Sequence, residues 1–199
     1  MTQTGDITVM SVADVPWHDV QLVFGTRGDA SRCWCQYFKP PTPGERQGGS
    51  AECRALLHQQ IVKNAPAPGL IAYLGTEPVG WCAVEPRPNY PRLLRHALVT
   101  EGSPEPADDT SVWSVSCFVV RVGFRRRGVA GALLAAAVQH ARRHGARLLE
   151  AYPVDVAVRP GAPAAELYHG TLSQFLTAGF REVSRPKPDR PVVQLTLRG

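Results

Sequence analysis

Residues 125–130 read Arg-Arg-Arg-Gly-Val-Ala, and an amphipathic run follows at once. The first turn of a helix carries backbone N–H groups without intrahelical partners, and the helix dipole adds partial positive charge at the same end. Gly128 lets an anion approach this backbone with no side chain in between. Since three arginines add further positive charge, the segment predicts a cradle for a pyrophosphate.

The cradle lies between a predicted strand and a predicted helix. The run 112–120 is rich in β-branched and aromatic residues and predicts a strand, as does the shorter run 148–152. Between them, apolar residues recur at the spacing of one helix face, which predicts a helix over 128–144 that ends at Gly145. That face comprises Ala130, Leu133, Leu134, Ala137, Val138 and Ala141. Strand, crossover helix and strand form a βαβ unit, which implies parallel strands.

The spacing of Arg125, Gly128 and Ala130 resembles the acyl-CoA-binding motif of the GNAT N-acetyltransferase superfamily. That motif consists of Gln or Arg, two residues of any type, Gly, one residue of any type, and then Gly or Ala. The corner 178–180, Ala-Gly-Phe, is similar to the family's late helix-to-strand corner. The resemblance covers about residues 112–183 and, by analogy, the hairpin at 70–87. It implies an α/β (α+β mixed) fold in one domain over 1–199, with a central mixed sheet of six or seven strands flanked by helices around a βαβ acyl-CoA-binding core.

The same resemblance implies an N-acetyltransferase that moves an acetyl group from acetyl-CoA to a primary amine of a small molecule or protein by direct attack. The pantetheine arm would lie in a gap between two splayed parallel strands, where a backbone N–H could stabilise the oxyanion. No metal is expected. The implied cofactor-binding residues are Phe118, Val120, Arg125, Arg126, Arg127, Gly128, Val129, Ala130, Gly131 and Ser173.

Two carboxylates are candidates for the base that deprotonates the amine. Glu150 lies among apolar neighbours on the strand after the cradle helix, which predicts partial burial and a raised pKa. The alternative is a glutamate that faces solvent or pairs with an arginine. Glu85, just after the hairpin strand, is the second candidate, and Asp155 and His169 are further options.

The acid that protonates the leaving thiolate is less defined. In the resembled family it is often a tyrosine four residues before the late glycine, but Phe175 stands at that position and has no proton to give. Ser173, Tyr168 or a water are the substitutes. Because Phe175 cannot donate a proton, the alternative function of a catalytically weak acyl-CoA-binding regulatory or sensor protein stays open.

Aromatic residues in the first half of the chain are candidates for the acceptor pocket. Trp34, Tyr37 and Trp81 could wall it and contact an amine through cation–π interactions. The alternative for each is core packing. Cys33 and Cys35 are interpreted as small buried hydrophobic residues rather than nucleophiles.

Composition bounds the remaining function classes. A chain of 199 residues with 44% hydrophobic residues fits one domain with a sizeable core. The net charge of +5 leaves a nucleic-acid-binding protein as a second alternative, although the sequence shows no ribbon of basic and aromatic residues. Five scattered cysteines without a Cys-x-x-Cys pair indicate free thiols in a cytoplasmic protein. No run predicts a membrane span, and a homodimer is compatible with the sequence.

The other segments predict the following elements from their periodicity, capping residues and turn residues. They are a strand at 7–12, helices at 14–24 and 50–62, a loop at 40–49, hairpin strands at 70–74 and 79–84, a helix around 92–98 within a long loop at 86–111, a Thr171–Gln174 capping box that opens a helix at 172–178, and an antiparallel pair at 180–184 and 192–197.

Overall fold

A seven-stranded sheet forms the centre of the protein in a computed structural model that describes residues 6–39, 48–163 and 166–197. The strand order is β1-β2-β3-β4-β5-β7-β6, and only β4 and β5 are parallel. This confirms the predicted mixed sheet. The strands are β1 Ile7–Ser11, β2 Gly69–Leu74, β3 Glu77–Pro86, β4 Val112–Val120, β5 Leu148–Ala151, β6 Arg181–Lys187 and β7 Arg190–Thr196.

Helices cover both faces of this sheet. They are α1 Trp17–Phe24, α2 Gly28–Cys33, α3 Ser50–Lys63, α4 Pro91–Leu94, α5 Ala97–Thr100, α6 Val129–Arg143 and α7 Leu172–Thr177. Short 3₁₀ turns occur at Val12–Asp14, Arg87–Asn89, Val122–Phe124 and Leu167–His169. Most of the predicted 40–49 loop lies outside the described residues.

The predicted βαβ unit is formed by β4, α6 and β5. Leu133, Leu134 and Ala137 on α6 are fully buried against the apolar residues of one sheet face. Gly145 takes a positive φ of 79° just after the helix, as predicted for its end. Because truncating one such buried leucine to alanine typically costs about 2–5 kcal/mol, this packing fixes where the helix begins relative to β4.

The opposite sheet face is covered by α1, α2 and α3. Trp81 on β3 is fully buried there, with its ring 5.4 Å from that of Phe24. Phe24 in turn stacks on Trp34 at 4.8 Å. These aromatic residues anchor the N-terminal segments beside the C-terminal end of β4.

Several predicted boundaries shift. The helix expected over 14–24 begins only at Trp17, because Pro16 lies at the N-cap with extended backbone geometry. The segment around 92–98 forms two short helices rather than one. In the final pair, β6 and β7 each extend toward their shared turn beyond the predicted strand ends.

Candidate active site

The site begins at a gap inside the sheet. Pairing between β4 and β5 covers residues 112–115 and 148–151 and ends there. A β-bulge lies at the same level, because Val84 pairs with Val115 and Ala83 already pairs with Cys117. Ser116 is therefore the extra residue, and a bulge of this kind bends the strand and re-aims its backbone. Beyond the bulge, the β5-side edge of β4 faces a cleft.

This cleft is large enough for an extended ligand. Its volume is about 1580 Å³, and residues 116–120 of β4 line it. The 3₁₀ turn before α7, the start of α6 and the connection from α1 to α2 form the other walls. One cavity thus joins the unpaired strand edge to the predicted anion cradle.

The cradle is built from backbone. Gly128 has a φ of 82°, in the left-handed region that favours glycine, and no side chain caps the N-terminus of α6. A Cβ built on Gly128 would meet only Ile7 Cδ1, at 3.8 Å, so the space above it is open. Arg125 and Arg126 line the cleft beside it. An uncapped 15-residue helix beside these two guanidinium groups suits a multiply charged anion.

A hydrogen bond ties α7 to the cradle. The Gln174 side chain donates to the Ala130 carbonyl at 2.9 Å, and both residues line the cleft. Consequently the predicted capping box is wrong, since Thr171 lies at the N-cap of α7 but no side-chain hydrogen bond caps the helix. Gln174 instead fixes the distance between the two helices that border the cleft.

Tyr168 and three cysteines lie on the cleft wall. Tyr168 is partly buried, and burial raises the pKa of its phenol to about 12. Cys33, Cys35 and Cys117 line the same cavity. Burial of the thiol and contact with Cys117 raise the pKa of Cys35 well above its ordinary value. At neutral pH the cleft therefore offers a protonated phenol and a protonated thiol.

Comparison with known proteins identifies the family. The family model described as "Acetyltransferase (GNAT) family" matches residues 32–170, which include β4, the cradle and the Tyr168 turn. The chain belongs to the GNAT acetyltransferase family. No curated protein matches this GNAT protein.

Solved structures share the fold of this GNAT protein across nearly all of their length. A ribosomal-protein-alanine N-acetyltransferase from Brucella melitensis is 15% identical, with a TM-score of 0.56 and coverage of 96% of this chain and 99% of that one. A protein from Salmonella typhimurium, described with its cofactor acetyl-CoA, is 14% identical, with a TM-score of 0.54 and coverage of 96% of this chain and 94% of that one. At such identities the likeness shows the fold alone.

The other predicted cofactor residues are distributed as follows. Phe118, Val120, Val129, Ala130 and Gly131 line the cleft. Two further residues are not among its lining. The Arg127 guanidinium lies 5.6 Å from the Phe124 ring, and Ser173 is exposed, with its hydroxyl 3.2 Å from that of Thr171.

Glu150 lies on β5, away from the cleft, in a buried polar cluster. One carboxylate oxygen accepts hydrogen bonds from Arg87 at 2.8 Å and Tyr152 at 2.5 Å. The other accepts from Ser103 at 2.6 Å and Gln194 at 2.7 Å. With four donors and no exposed surface, both carboxylate oxygens are fully engaged in hydrogen bonds inside the protein. The arginine pairing left open by the sequence is the one that forms.

Glu85 also lies outside the cleft. Its carboxylate is buried, forms an ion pair with Lys39 and accepts a hydrogen bond from Asn89 at 3.2 Å. It borders a separate cavity of about 480 Å³. Among the described residues that line the main cleft, Asp29 is the one carboxylate, and it is exposed at the start of α2.

Of the three aromatic residues predicted for the acceptor pocket, two lie in the core and one lines the cleft. Trp34 and Trp81 are buried in the core beneath α1 and α2 and are not part of the cleft wall. Tyr37 lines the cleft, is 45% exposed, and has the Arg92 guanidinium 5.2 Å from its ring centre. Core packing therefore accounts for both tryptophans, and Tyr37 alone is placed to meet a ligand.

Phe175 is fully buried, as its lack of a polar group allows. Its ring packs edge-on against Phe118 at 6.2 Å and Phe180 at 5.1 Å. Phe175 therefore supports β4 through its contact with Phe118. Tyr168, a predicted substitute for the acid, carries a phenol on the cleft wall, as does Tyr37.

Among the described residues, no three histidine, cysteine, aspartate or glutamate side chains are grouped so as to hold a metal ion. The described helices include none with the length and apolar character needed to cross a membrane.

Proposed function

We propose that this protein is an N-acetyltransferase that moves the acetyl group of acetyl-CoA directly to a primary amine of a small molecule or protein. The observation that carries the proposal is the continuity of one cleft, which joins an uncapped helix N-terminus to an unpaired strand edge. Such a cleft matches a ligand that has a diphosphate at one end and an amide-bearing arm at the other.

The diphosphate would bind at the start of α6. Gly128 leaves the backbone open to the anion, and Arg125 and Arg126 add two charges that screen phosphate repulsion. Gln174 holds α7 against the same helix turn through the Ala130 carbonyl. The cradle therefore needs little rearrangement on binding, which favours affinity.

The pantetheine arm would run along β4 from Val120 toward Ser116. Backbone groups on this edge have lost their β5 partner at the bulge, and the amides of the arm can replace it in the manner of an added strand. Phe118 and Phe175 pack together beneath the edge and keep it in place. The thioester would then lie near the bulge.

At the bulge, the acceptor nitrogen would attack the thioester carbonyl, forming the C–N bond as the C–S bond breaks. Backbone N–H groups near Ser116 are placed to stabilise the oxyanion, an effect typically worth about 2.7–4 kcal/mol per donor. The leaving thiolate would take the proton of Tyr168, because a phenol with a pKa of about 12 is protonated at neutral pH. The nitrogen loses one proton as the amide forms, and that proton, passed through water, would restore the phenol.

The amine proton would leave through water. Glu150 and Glu85, the two carboxylates predicted as bases, are already held by Arg87 and Lys39 and do not reach the cleft. We therefore propose that the neutral fraction of the amine reacts. Because a free amine has a pKa near 10, kcat/KM should rise about tenfold per pH unit between pH 7 and 9.

The acceptor would enter beside Tyr37 and the connection from α1 to α2. Tyr37 is the exposed aromatic residue of this wall. Its ring face can contact a cationic or apolar acceptor group.

A screen with purified protein, acetyl-CoA and a panel of amines tests the proposal, with the acetylated product detected by mass spectrometry. Turnover of any primary amine supports it. Tight binding of coenzyme A without turnover of any amine would favour the regulatory or sensor alternative. Absence of coenzyme A binding in calorimetry would refute both. Retention on DNA that coenzyme A does not alter would favour the nucleic-acid alternative.

A further inference from the structure

Gly80 on β3 lies directly beneath the start of α6. A Cβ added to Gly80 would lie 2.7 Å from Val129 Cγ1, 3.1 Å from Leu133 Cδ1 and 3.3 Å from the Val119 carbonyl oxygen. Unlike Gly128, Gly80 has no positive φ, so the position requires glycine for space and not for backbone geometry. A glycine inside a strand often marks such a close approach.

This contact joins the two parts of the cleft that a cofactor would have to bridge. Val129 is the first residue of α6, follows Gly128 directly and is buried. Within the sheet, Gly80 pairs with Val120 at the cradle end of β4. Val120 and Val129 both line the cleft, whereas Gly80 is not part of its wall. The space left by Gly80 therefore determines how close the cradle lies to the free edge of β4.

Neither side of the contact yields easily. Val129 is β-branched, and a helix holds such a side chain close to one χ1 rotamer. Gly80 is paired on both sides, with Ala72 on β2 and Val120 on β4. Carbon atoms in contact lie about 3.5–4.0 Å apart, so a Cβ that starts 2.7 Å from Val129 Cγ1 would displace the start of α6 by about 0.8 Å or more.

We propose that Gly80 is a positioning residue that sets the distance between the anion cradle and the free edge of β4. It thereby sets the preference of the cleft for ligands that carry an arm beyond the diphosphate. The inference rests on the proposed function, because coenzyme A is the ligand that bridges the two parts. A ligand that contacts the cradle alone would move with α6 and would be insensitive to this distance.

The test compares coenzyme A with 3′-phospho-ADP, which carries the diphosphate but lacks the pantetheine arm. Calorimetric titration measures both affinities for the original protein and for Gly80→Ala. We expect Gly80→Ala to weaken coenzyme A binding by about tenfold or more and 3′-phospho-ADP binding by less than about threefold, since a misplacement of about 1 Å can cost about 100-fold where groups must align.

Two further variants separate positioning from packing. Val129→Ala added to Gly80→Ala removes the Cγ1 atom that the new methyl group would meet, so coenzyme A affinity should return to that of Val129→Ala alone, as in a double-mutant cycle. Val129→Ile adds a carbon to the other side of the same contact. It should repeat the selective loss, and it supplies the comparison if Gly80→Ala does not fold.

Leu57→Ala is the control for lost stability. Leu57 is buried on the opposite face of the sheet and is not part of the cleft wall. Its truncation should lower the urea midpoint and leave both affinities unchanged. Circular dichroism checks the folding of every variant.

The results distinguish this inference from the proposed function. Original protein that binds no coenzyme A would defeat the proposed function and the inference with it. Original protein that binds coenzyme A, with folded Gly80→Ala or Val129→Ile that binds it equally well or loses both ligands to the same extent, would overturn the inference alone. Failure of the double variant to recover coenzyme A affinity would also make Gly80 a packing residue only.

Discussion

Gly128 combines two requirements at one backbone position: a left-handed φ and an open approach for an anion. We predict that Gly128→Asp lowers affinity for coenzyme A by at least 100-fold, because the carboxylate would face the phosphates. The strained φ should cost about 1–2 kcal/mol of folding stability. Calorimetric titration with coenzyme A measures the affinity, and urea unfolding measures the stability.

Gly145→Asp is the matched control for this prediction. Gly145 has a φ of 79° and open space around it, at the other end of α6. It should show a similar stability loss with unchanged affinity for coenzyme A. Equal affinity in the two variants would remove Gly128 from the cofactor site.

The proposed role of Tyr168 depends on the proton of its phenol, which would go to the leaving thiolate. We predict that Tyr168→Phe lowers kcat by about 100-fold or more, the usual contribution of a general acid, and leaves coenzyme A binding unchanged. Since burial raises the pKa of Tyr168 to about 12, above the ordinary 10, the phenol keeps its proton through pH 9. Deprotonation of Tyr168 should therefore cause no fall in kcat between pH 7 and 9.

Tyr73→Phe is the comparison variant, because its hydroxyl donates to Asp19 at 2.7 Å and the residue is not part of the cleft wall. Its kcat should stay within about twofold of the original enzyme, since removing a phenol outside the site changes no reacting group. A Tyr168→Phe enzyme with full kcat would assign the proton to water.

On the scale of elements, the Glu150 side chain adds to the backbone pairing of β5 with β4 and β7 by linking β5 to the segment between β3 and β4. Glu150 accepts hydrogen bonds from β7 through Gln194 and from the long segment between β3 and β4 through Arg87 and Ser103. We predict that Glu150→Ala destabilises the protein by about 3–5 kcal/mol, because it leaves the Arg87 guanidinium buried and unpaired. The midpoint of urea unfolding measures this change.

Glu166→Ala supplies the reference for a surface pair. Glu166 and Arg159 are both over two-fifths exposed at a separation of 2.6 Å, and such pairs contribute about 0–1 kcal/mol. If Glu150→Ala were as stable as Glu166→Ala but lacked activity, the result would support the original prediction that Glu150 is the catalytic base.

The elements around the cradle were predictable because their signals are local. The glycine between a basic run and an amphipathic helix predicts an anion site from a few residues, and the position of α6 follows from helix periodicity. The role of Glu150 was not predictable in this way. Apart from the adjacent Tyr152, its donors come from two distant segments, and sequence alone did not show that Arg87, inside the long 86–111 stretch, would reach it.

The predictions for the capping box and for the two tryptophans differ from the structure for a related reason. Gln174 has the correct spacing to cap α7, but a carbonyl on α6 competes for its amide. Trp34 and Trp81 have the composition of a binding wall, yet only tertiary packing decides which side of the sheet receives them. Tyr37 and Tyr168 differ from them because both residues line the cleft. Trp34 packs into the core although its neighbours Cys33 and Cys35 line the cleft.

For the whole molecule, two buried histidines predict how folding stability responds to acid. Burial, with smaller effects of His144 and Arg143, lowers the pKa of His140 from 6.5 to about 4. Burial likewise holds the pKa of His169 well below its ordinary value. Below pH 6.5 the unfolded chain takes up protons that the native histidines do not, so stability falls as the pH decreases.

We therefore predict that the free energy of unfolding is highest above pH 6.5 and declines toward pH 4. Each histidine can contribute a slope of at most about 1.4 kcal/mol per pH unit. Urea unfolding between pH 4 and 8 measures the slope. His140→Leu should flatten it, because the side chain stays apolar against Trp113 but no longer titrates. An unchanged slope would assign the acid response to other groups.

The interrupted pairing between β4 and β5 also has a consequence for the stability and abundance of the protein in a cell. With coenzyme A bound along β4 as proposed, the amides of its arm would supply main-chain hydrogen bonds that β4 lacks on its β5 side beyond Val115. Native protein should therefore be more resistant to heat and proteases when coenzyme A is abundant, and its steady-state abundance should follow the supply of that metabolite.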